Sequence, residues 1–195
     1  PLWDPRERSG NTPRRSEARL AKRLKTGIGL VLWKHRWLES PRANVMISTP
    51  EQLVIVGAGG HGLDVLWAAQ AMGTRVVLGY ADSNAARIGE IHYGQPILCL
   101  PEDVPARFGP LVRFHLAVGD NRDRMALAAQ LESSGLRAAT VIHPDARLAP
   151  GASVSEGSYV AAGATLAPHC ALGRHVIVNV NAVIGHQSKL ADFAQ

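Results

Sequence analysis

Two stretches of the sequence carry residues whose types and spacing could support chemistry. The first, GAGGHG from Gly57 to Gly62, fits the pattern G-x-G-x-x-G. Where such a turn joins a strand to a helix, its backbone N–H groups can approach a phosphate at the positive end of the helix. The second, NVNAVIGHQS, holds His186 among small and branched apolar residues. A histidine side chain has an ordinary pKa of about 6.5, so it can take a proton from an amine or a hydroxyl at neutral pH.

The glycine turn is flanked by the two elements that phosphate binding needs. Leu53 to Val56 are four consecutive apolar residues, which predicts a strand buried on both faces. A helical pattern follows from His61 to Met72. We therefore expect Gly59, Gly60 and His61 to contact a bound nucleotide. For His61, an ordinary place in the first turn of the helix is an equal alternative.

Further loop residues should lie on the same rim, the edge where parallel strands end and where such sheets bind ligands. Asp82 follows a predicted strand about 20 residues after Gly62, the distance at which dinucleotide-binding folds place an acid on a ribose hydroxyl. A plain loop acid is the alternative, because the segment is rich in turn formers. Gly119 and Asn121 follow a later predicted strand. Residues 50–140 are thus predicted to form a small Rossmann-like parallel α/β domain.

From Val141 onward the sequence repeats every six residues. The sixth position is small in each of nine blocks except at Val176. The second position is aliphatic in all nine: Ile142, Leu148, Val154, Val160, Leu166, Leu172, Val178, Ile184 and Leu190. This period predicts a β-solenoid in which three blocks make one triangular coil, the second position faces inward, and coils stack at about 4.8 Å. Residues 141–195 are therefore expected to form three coils.

The motifs VIVGAGGHG, AVGDN and VIHPDARLAPGA, followed by the remaining hexapeptides, resemble the sugar acyltransferase family. That family includes sialic acid O-acetyltransferases and bacterial N-acetyltransferases of UDP-4-amino-sugars. The resemblance covers Leu53 to Gln195 and implies a left-handed parallel β-helix, an exception to the right-handed crossover rule. It further implies a cytoplasmic homotrimer in which the glycine-rich domain holds a nucleotide-sugar and acetyl-CoA lies between neighbouring β-helices.

The same resemblance assigns roles within the β-helix. NVNAVIGHQS matches the family stretch N-x-x-x-V-I-x-H-[DE], which makes Asn179 an acetyl-CoA contact and His186 the general base. The acidic residue after the histidine is here Gln187, which can accept a hydrogen bond and orient the ring but cannot stabilise an imidazolium as a carboxylate does. Gln195 stands where the family has a second histidine near acetyl-CoA. Because related proteins have more coils, the β-helix is expected to be incomplete and the chain truncated.

The other histidines of the repeats have simpler interpretations. His186 occupies the fourth position of its block, which faces outward, so the residues alone favour a solvated side chain there. His169 and His175 stand at corners of the coils and are predicted at the surface. His143 is predicted to be a structural residue where the two domains join.

Composition limits the other classes of function. Residues 1–45 carry 11 Lys and Arg against 4 Asp and Glu, whereas the rest of the chain carries 10 against 12. We expect this basic segment, which lacks an apolar period, to be a disordered or non-native tail rather than a nucleic-acid-binding arm. The sequence contains no run of about 18 apolar residues, so it does not predict a membrane span. Cys99 and Cys170 are the only cysteines, which argues against a disulfide framework or a zinc pattern and fits a reducing compartment.

These features favour an acetyl-CoA-dependent acetyltransferase that acts on the amine or hydroxyl of a nucleotide-sugar, by direct transfer and without a metal, in bacterial surface glycan biosynthesis. One alternative is an NAD-dependent oxidoreductase, suggested by the glycine turn and Asp82, although the hexapeptides offer it no second substrate domain. The other is an inactive fragment or a trimeric scaffold, suggested by Gln187 and by the abrupt end of the repeats.

Overall fold

The computed structural model describes residues 50–195. The basic tail predicted for residues 1–45 lies outside the described residues. Elements of two kinds follow one another: strands alternating with helices as far as Ala138, and two-residue strands from Val141 onward. None of the helices within the described range combines the length and the apolar character that a bilayer crossing requires.

Residues 50–140 form a six-stranded sheet with three helices. The strands are β1 (Glu51–Val56), β2 (Arg75–Ala81), β3 (Ile91–His92), β4 (Gln95–Cys99), β5 (Arg113–Leu116) and β6 (Arg137–Ala138). The helices are α1 (Gly60–Met72), α2 (Val104–Phe108) and α3 (Asn121–Ser133). Their sheet has the order β3-β4-β2-β1-β5-β6, and all neighbours are parallel except β3 and β4. The Rossmann-like parallel architecture is confirmed, with one antiparallel edge that we did not predict.

Strand β1 is apolar throughout its second half because both of its faces are covered. Leu53 and Ile55 pack with apolar residues of α1 on one face of the sheet. Val54 and Val56 pack with α2 and α3 on the other. The continuous apolar run in the sequence is therefore the expected signature of a central parallel strand.

Residues 141–195 form three coils of a left-handed parallel β-helix. Its strands are β7 (Val141–Ile142), β8 (Arg147–Leu148), β9 (Ser153–Val154), β10 (Tyr159–Val160), β11 (Thr165–Leu166), β12 (Ala171–Leu172), β13 (Ile177–Val178), β14 (Val183–Ile184) and β15 (Lys189–Leu190). They stack as three parallel sheets, β7-β10-β13, β8-β11-β14 and β9-β12-β15. Because Tyr159 pairs with Val141 on one side and Ile177 on the other, each coil takes three hexapeptides. The predicted hexapeptide solenoid is confirmed.

The interior of the β-helix is built from two positions of each hexapeptide. Eight of the nine aliphatic second residues and seven of the nine sixth residues belong to one apolar cluster; the exceptions are Leu148, which is exposed, and the sixth residues Ser158 and Ser188. The tight turn itself is made at the fifth position, where φ lies between +54° and +78° in eight blocks: Gly151, Gly157, Gly163, His169, His175, Asn181, Gln187 and Phe193. The small sixth residue, in contrast, fits inside the coil.

Two of the three histidine predictions are confirmed and one is wrong. His143 is buried where the β-helix meets α1, with its ring centroid 4.5 Å from that of Trp67. His169 is exposed at its corner. His175 was expected at the surface but is only 1% exposed.

His175 is buried because its corner packs against the α/β part of the chain. Its ring stacks on Phe193 at a centroid distance of 5.0 Å and lies 6.3 Å from Phe114 of β5. Its Nε2 is 3.0 Å from a carboxylate oxygen of Glu132 on α3. Burial lowers the pKa of His175, and the hydrogen bond to Glu132 opposes that shift.

Candidate functional site

The glycine turn between β1 and α1 is a close-packed structure at two of its positions. Gly57 has φ of +110°, and a Cβ there would lie 2.7 Å from the carbonyl oxygen of Ala117. A Cβ on Gly62 would collide with the Gly57 carbonyl and approach Tyr80 Cε1 to 3.2 Å. These two glycines therefore allow the turn to close against β2 and against the end of β5.

The other two glycines leave the start of α1 open. Gly59 and Gly60 are exposed, and a Cβ on either would meet nothing within 4 Å. Gly59 is the N-cap residue, it offers no side-chain cap, and the first turn of the helix holds no acidic residue. The N–H groups of that first turn, together with the helix dipole, are therefore available to an anion.

Asp82 holds the glycine turn from the end of β2. One of its carboxylate oxygens accepts the Ala58 N–H at 2.8 Å, and the other accepts the Asn84 N–H at 2.9 Å. Arg87 lies 3.6 Å from the same carboxylate and donates to the Ala58 carbonyl at 3.0 Å. A ribose hydroxyl at this position would share acceptor oxygens that already order the turn. Sequence reasoning did not anticipate Arg87.

The His61 ring is directed toward the β-helix rather than out of the turn. It meets Tyr159 of β10 edge-on, at a centroid distance of 5.0 Å. Its Nδ1 is 3.9 Å from the Asp64 carboxylate, and its Nε2 is buried without a hydrogen-bond partner in the described part of the chain. Burial lowers the pKa of His61, with Asp64 opposing the shift. The ring therefore helps to pack α1 on the β-helix, while its N–H stays in the first helical turn.

The loop Gly119–Asn121, hereafter the rim loop, lies beside the glycine turn, as the close approach of Gly57 to Ala117 shows. Asp120 caps α3, because one carboxylate oxygen accepts the Arg122 and Asp123 N–H groups at 2.8 and 3.0 Å. Those N–H groups hold the pKa of Asp120 below its usual value. Gly119 and Asn121 are exposed, so the two loops present open backbone on one edge of the sheet.

The predicted residues of the β-helix are all exposed on the third coil. His186 lies in the turn after β14, and Gln187 makes its left-handed residue. The Gln187 N–H donates to the Pro168 carbonyl one coil away, at 3.0 Å. Asn179 follows β13, and Gln195 follows the last strand. Within residues 50–195, no hydrogen bond joins the His186 ring to Gln187, and no three His, Cys, Asp or Glu side chains could hold a metal ion together.

Comparisons with known proteins identify both halves of this arrangement. The model of the PglD N-terminal domain matches residues 52–131. The acetyltransferase domain of PglB from Neisseria gonorrhoeae is 30% identical, over 73% of this chain and 69% of that one, with a TM-score of 0.67. The chain belongs to the hexapeptide-repeat sugar acetyltransferase family. PerB from Caulobacter crescentus, in complex with CoA and GDP-perosamine, is likewise 30% identical over 73% of this chain and 66% of that one, with a TM-score of 0.66. No curated protein sequence matches.

Membership of the sugar acetyltransferase family confirms the resemblance inferred from the motifs, together with the fold class. It also confirms the acyltransferase class of enzyme rather than the oxidoreductase alternative. The N. gonorrhoeae domain has a structure in complex with acetyl coenzyme A, which matches this chain with a TM-score of 0.66.

Within this sugar acetyltransferase chain, the structure groups the predicted site residues into two separate sets. Gly59, Gly60, Asp82 and the rim loop share one edge of the sheet. His186 stands at a different corner of the third coil from the Phe193 corner that faces α3. Arg124 of α3 contacts both the rim loop and the Phe193 corner. The sequence analysis missed it, because its neighbours in the sequence are typical of an exposed helix surface.

Proposed function

We propose that this protein transfers the acetyl group of acetyl-CoA to the amine or hydroxyl of a nucleotide-sugar, as a cytoplasmic homotrimer in bacterial surface glycan biosynthesis. The observation that carries the proposal is the open, uncapped start of α1 beside the rim loop. The relatives of this chain support the same proposal. PerB has been described in complex with CoA and GDP-perosamine, and the PglB domain in complex with acetyl coenzyme A.

The diphosphate of the nucleotide-sugar is proposed to lie over Gly59 and Gly60. The N–H groups of the first turn of α1, including that of His61, are free of side-chain caps and point toward such a ligand. Gly119 and Asn121 would contact the same ligand from the rim loop, and Asp82 would lie nearest its ribose. Absence of a side chain at Gly59 and Gly60 supports this placement, because phosphate oxygens must approach the backbone closely.

Acetyl-CoA is proposed to bind along the exposed surface of the third coil. Asn179 would contact it, and Gln195 would lie close to it. His186 projects from the same coil, so the acetyl group and the base would lie together once a second β-helix covers this surface. The homotrimer is the assembly that would provide that cover, since His186 lies at a different corner of the third coil from the Phe193 corner that Arg124 joins to the rim loop.

The transfer itself requires one proton acceptor. The lone pair of the acceptor nitrogen or oxygen attacks the thioester carbonyl carbon, the bond from carbon to sulfur breaks, and the sulfur leaves as the thiolate of CoA. The nucleophile gives its proton to His186, which later returns it to the thiolate, so that charge and protons balance. Gln187 makes no hydrogen bond to the His186 ring within residues 50–195; in the assembled site its amide oxygen is proposed to accept from the imidazole N–H and to hold the ring in position.

Direct transfer is preferred to an acetyl-enzyme because neither cysteine is a suitable nucleophile. Cys99 and Cys170 are both buried. Burial raises the pKa of both thiols, which leaves little thiolate at neutral pH.

Calorimetric titration tests the nucleotide-sugar site. We expect UDP-N-acetylglucosamine or GDP-mannose to bind and NAD not to bind. Gly60→Asp places a carboxylate in open space at the start of α1, where it should favour the helix but repel a diphosphate. The affinity of this variant for the nucleotide-sugar should fall about tenfold or more, as expected when at least one hydrogen bond to a charged group is lost. Its melting temperature should stay the same. Tight NAD binding with no response to nucleotide-sugars would refute the proposal.

A further inference from the structure

Arg124 is a buried cation in a position where stability alone does not require one. It is the largest fully buried side chain of residues 50–195, and only 1% of its surface is exposed. Taking a guanidinium out of water is unfavourable unless its N–H groups all find acceptors, and an apolar side chain of similar volume often stabilises a core as well or better. Such a residue calls for an explanation beyond packing.

All five N–H groups of Arg124 are used. Nε donates one hydrogen bond, and each of the two terminal nitrogens donates two. The acceptors are the carbonyl oxygens of Val118 (2.8 Å), Gly119 (2.9 Å), His175 (3.1 Å) and Phe193 (2.5 Å) and the side-chain oxygen of Asn121 (2.8 Å). Four of the five are backbone atoms, so the side chain fixes where the main chain lies.

These acceptors belong to two different parts of the molecule. Val118, Gly119 and Asn121 form or adjoin the rim loop, which ends β5 and begins α3. His175 and Phe193 are the left-handed fifth residues of two stacked corners, in the second and third coils. One planar fork thus joins the loop at the ligand edge of the sheet to the coil that also carries His186. No acidic side chain of the described residues forms an ion pair with it.

We infer that Arg124 is a positioning residue: it holds the rim loop in register with the second and third coils of the β-helix. The inference rests on the proposed function, in which the rim loop contacts the nucleotide-sugar and the third coil carries the base and acetyl-CoA. Arg124 itself touches neither substrate; it acts through Gly119 and Asn121. Lysine cannot replace it, because an ammonium has three donors and no fork.

Arg174 provides a matched control for a general loss of contact between the β-helix and α3. It also crosses from the β-helix to α3, where its guanidinium pairs with the Glu132 carboxylate. It is less buried than Arg124, and its contacts do not include the rim loop. Arg174→Lys therefore disturbs the contact between the β-helix and α3 but leaves the hydrogen bonds of Arg124 to the rim loop in place.

Steady-state kinetics of Arg124→Lys and Arg174→Lys test the inference, with GDP-perosamine or a UDP-4-amino-sugar as acceptor. Arg124→Lys should raise KM for the acceptor about tenfold, as expected when hydrogen bonds from a charged donor are lost, and KM for acetyl-CoA should stay within about twofold of its original value. Arg174→Lys should leave both constants unchanged. An unchanged acceptor KM in Arg124→Lys, or an equal rise in both variants, would overturn the inference.

Amide exchange without substrate separates this inference from the proposed function. The Asp120 carboxylate protects the Arg122 and Asp123 N–H groups, and these should exchange about tenfold faster in Arg124→Lys but not in Arg174→Lys. If exchange rises while the unmodified protein turns over no nucleotide-sugar, the proposed function fails and the positioning role of Arg124 stands. If Arg124→Lys does not fold, Asn121→Ala removes one acceptor only and should raise exchange to a smaller extent. Unchanged exchange in Asn121→Ala would overturn the positioning role of Arg124.

Discussion

His186 is the residue on which acetyl transfer depends most in the mechanism proposed here. Its proton-accepting role arises only in the transition state, so His186→Ala should lower kcat about 10²–10⁴-fold and change KM for the nucleotide-sugar little. His169 is the matched control, because it is an exposed histidine in the preceding coil. The strand register aligns it with Gln187, one residue from His186. His169→Ala should keep full activity. A loss in kcat of less than about tenfold in His186→Ala would exclude a general-base role for this residue.

His115 of β5 makes the stability of the fold sensitive to acid. It is fully buried, its Nδ1 lies 2.7 Å from the Ala139 carbonyl, and burial lowers its pKa from 6.5 to about 3. Between these two pKa values the unfolded chain binds the proton and the folded chain does not. The free energy of unfolding should therefore fall as pH drops below about 6.5, by up to about 1.4 kcal/mol per pH unit for this one histidine.

His115→Asn should flatten that dependence, since asparagine can donate to the same carbonyl but does not titrate. His61 and His175, whose pKa values burial also lowers, should retain part of the slope. Urea unfolding at pH values between about 5 and 7 measures the slope, with exposed His169→Asn as the control. An equal slope in His115→Asn and in the unmodified protein would contradict the assignment.

At the same scale, the sequence predicts side chains well where a repeat fixes their direction and poorly elsewhere. The outward position of His186 follows from its place in the hexapeptide. The same rule placed His175 at the surface, and it failed because Phe114 and Glu132, distant in sequence, cover that corner. Arg124 carries no local signal either, because its acceptors lie on segments that only the fold brings together.

At the scale of elements, the strand–turn–helix unit of β1 and α1 should divide the four glycines of the turn into two classes. Gly62→Ala forces a Cβ against the Gly57 carbonyl and Tyr80, so it should cost about 1–3 kcal/mol of stability, as overpacked sites do. Gly60→Ala meets open space and should leave the free energy of unfolding nearly unchanged. Chemical denaturation measures both. Equal stability of the two variants would contradict the packing described for this turn.

Elements with a strong period could be predicted from sequence, and short ones without a period could not. The aliphatic second position predicted the nine β-helix strands, and the apolar run predicted β1. Strand β3 has only two residues, too few to show alternation, and its hairpin with β4 depends on the turn residues Tyr93 and Gly94, whose φ values are +48° and +80°. The left-handed fifth position was only partly visible, because five of its eight residues are not glycine.

At the scale of the whole molecule, the proposed reaction needs groups that one chain holds apart. The rim loop is joined through Arg124 to the Phe193 corner, whereas His186 occupies another corner of the third coil. A neighbouring subunit would bring a rim, a base and acetyl-CoA together, which is why we propose the homotrimer. Subunit contacts leave no periodic mark in a sequence, so the sequence predicted a homotrimer only through the family resemblance.

The most direct test of the central claim is the release of CoA from acetyl-CoA, measured with and without a nucleotide-linked amino-sugar, with mass analysis of the sugar product. We predict CoA release that depends on the nucleotide-sugar and a sugar product that gains one acetyl group. Both should decrease strongly in Gly60→Asp when the acceptor concentration is close to the KM of the unmodified enzyme. CoA release that never rises above background with GDP-perosamine, a UDP-4-amino-sugar or a hydroxyl-bearing nucleotide-sugar, or release that is the same without any nucleotide-sugar, would contradict it.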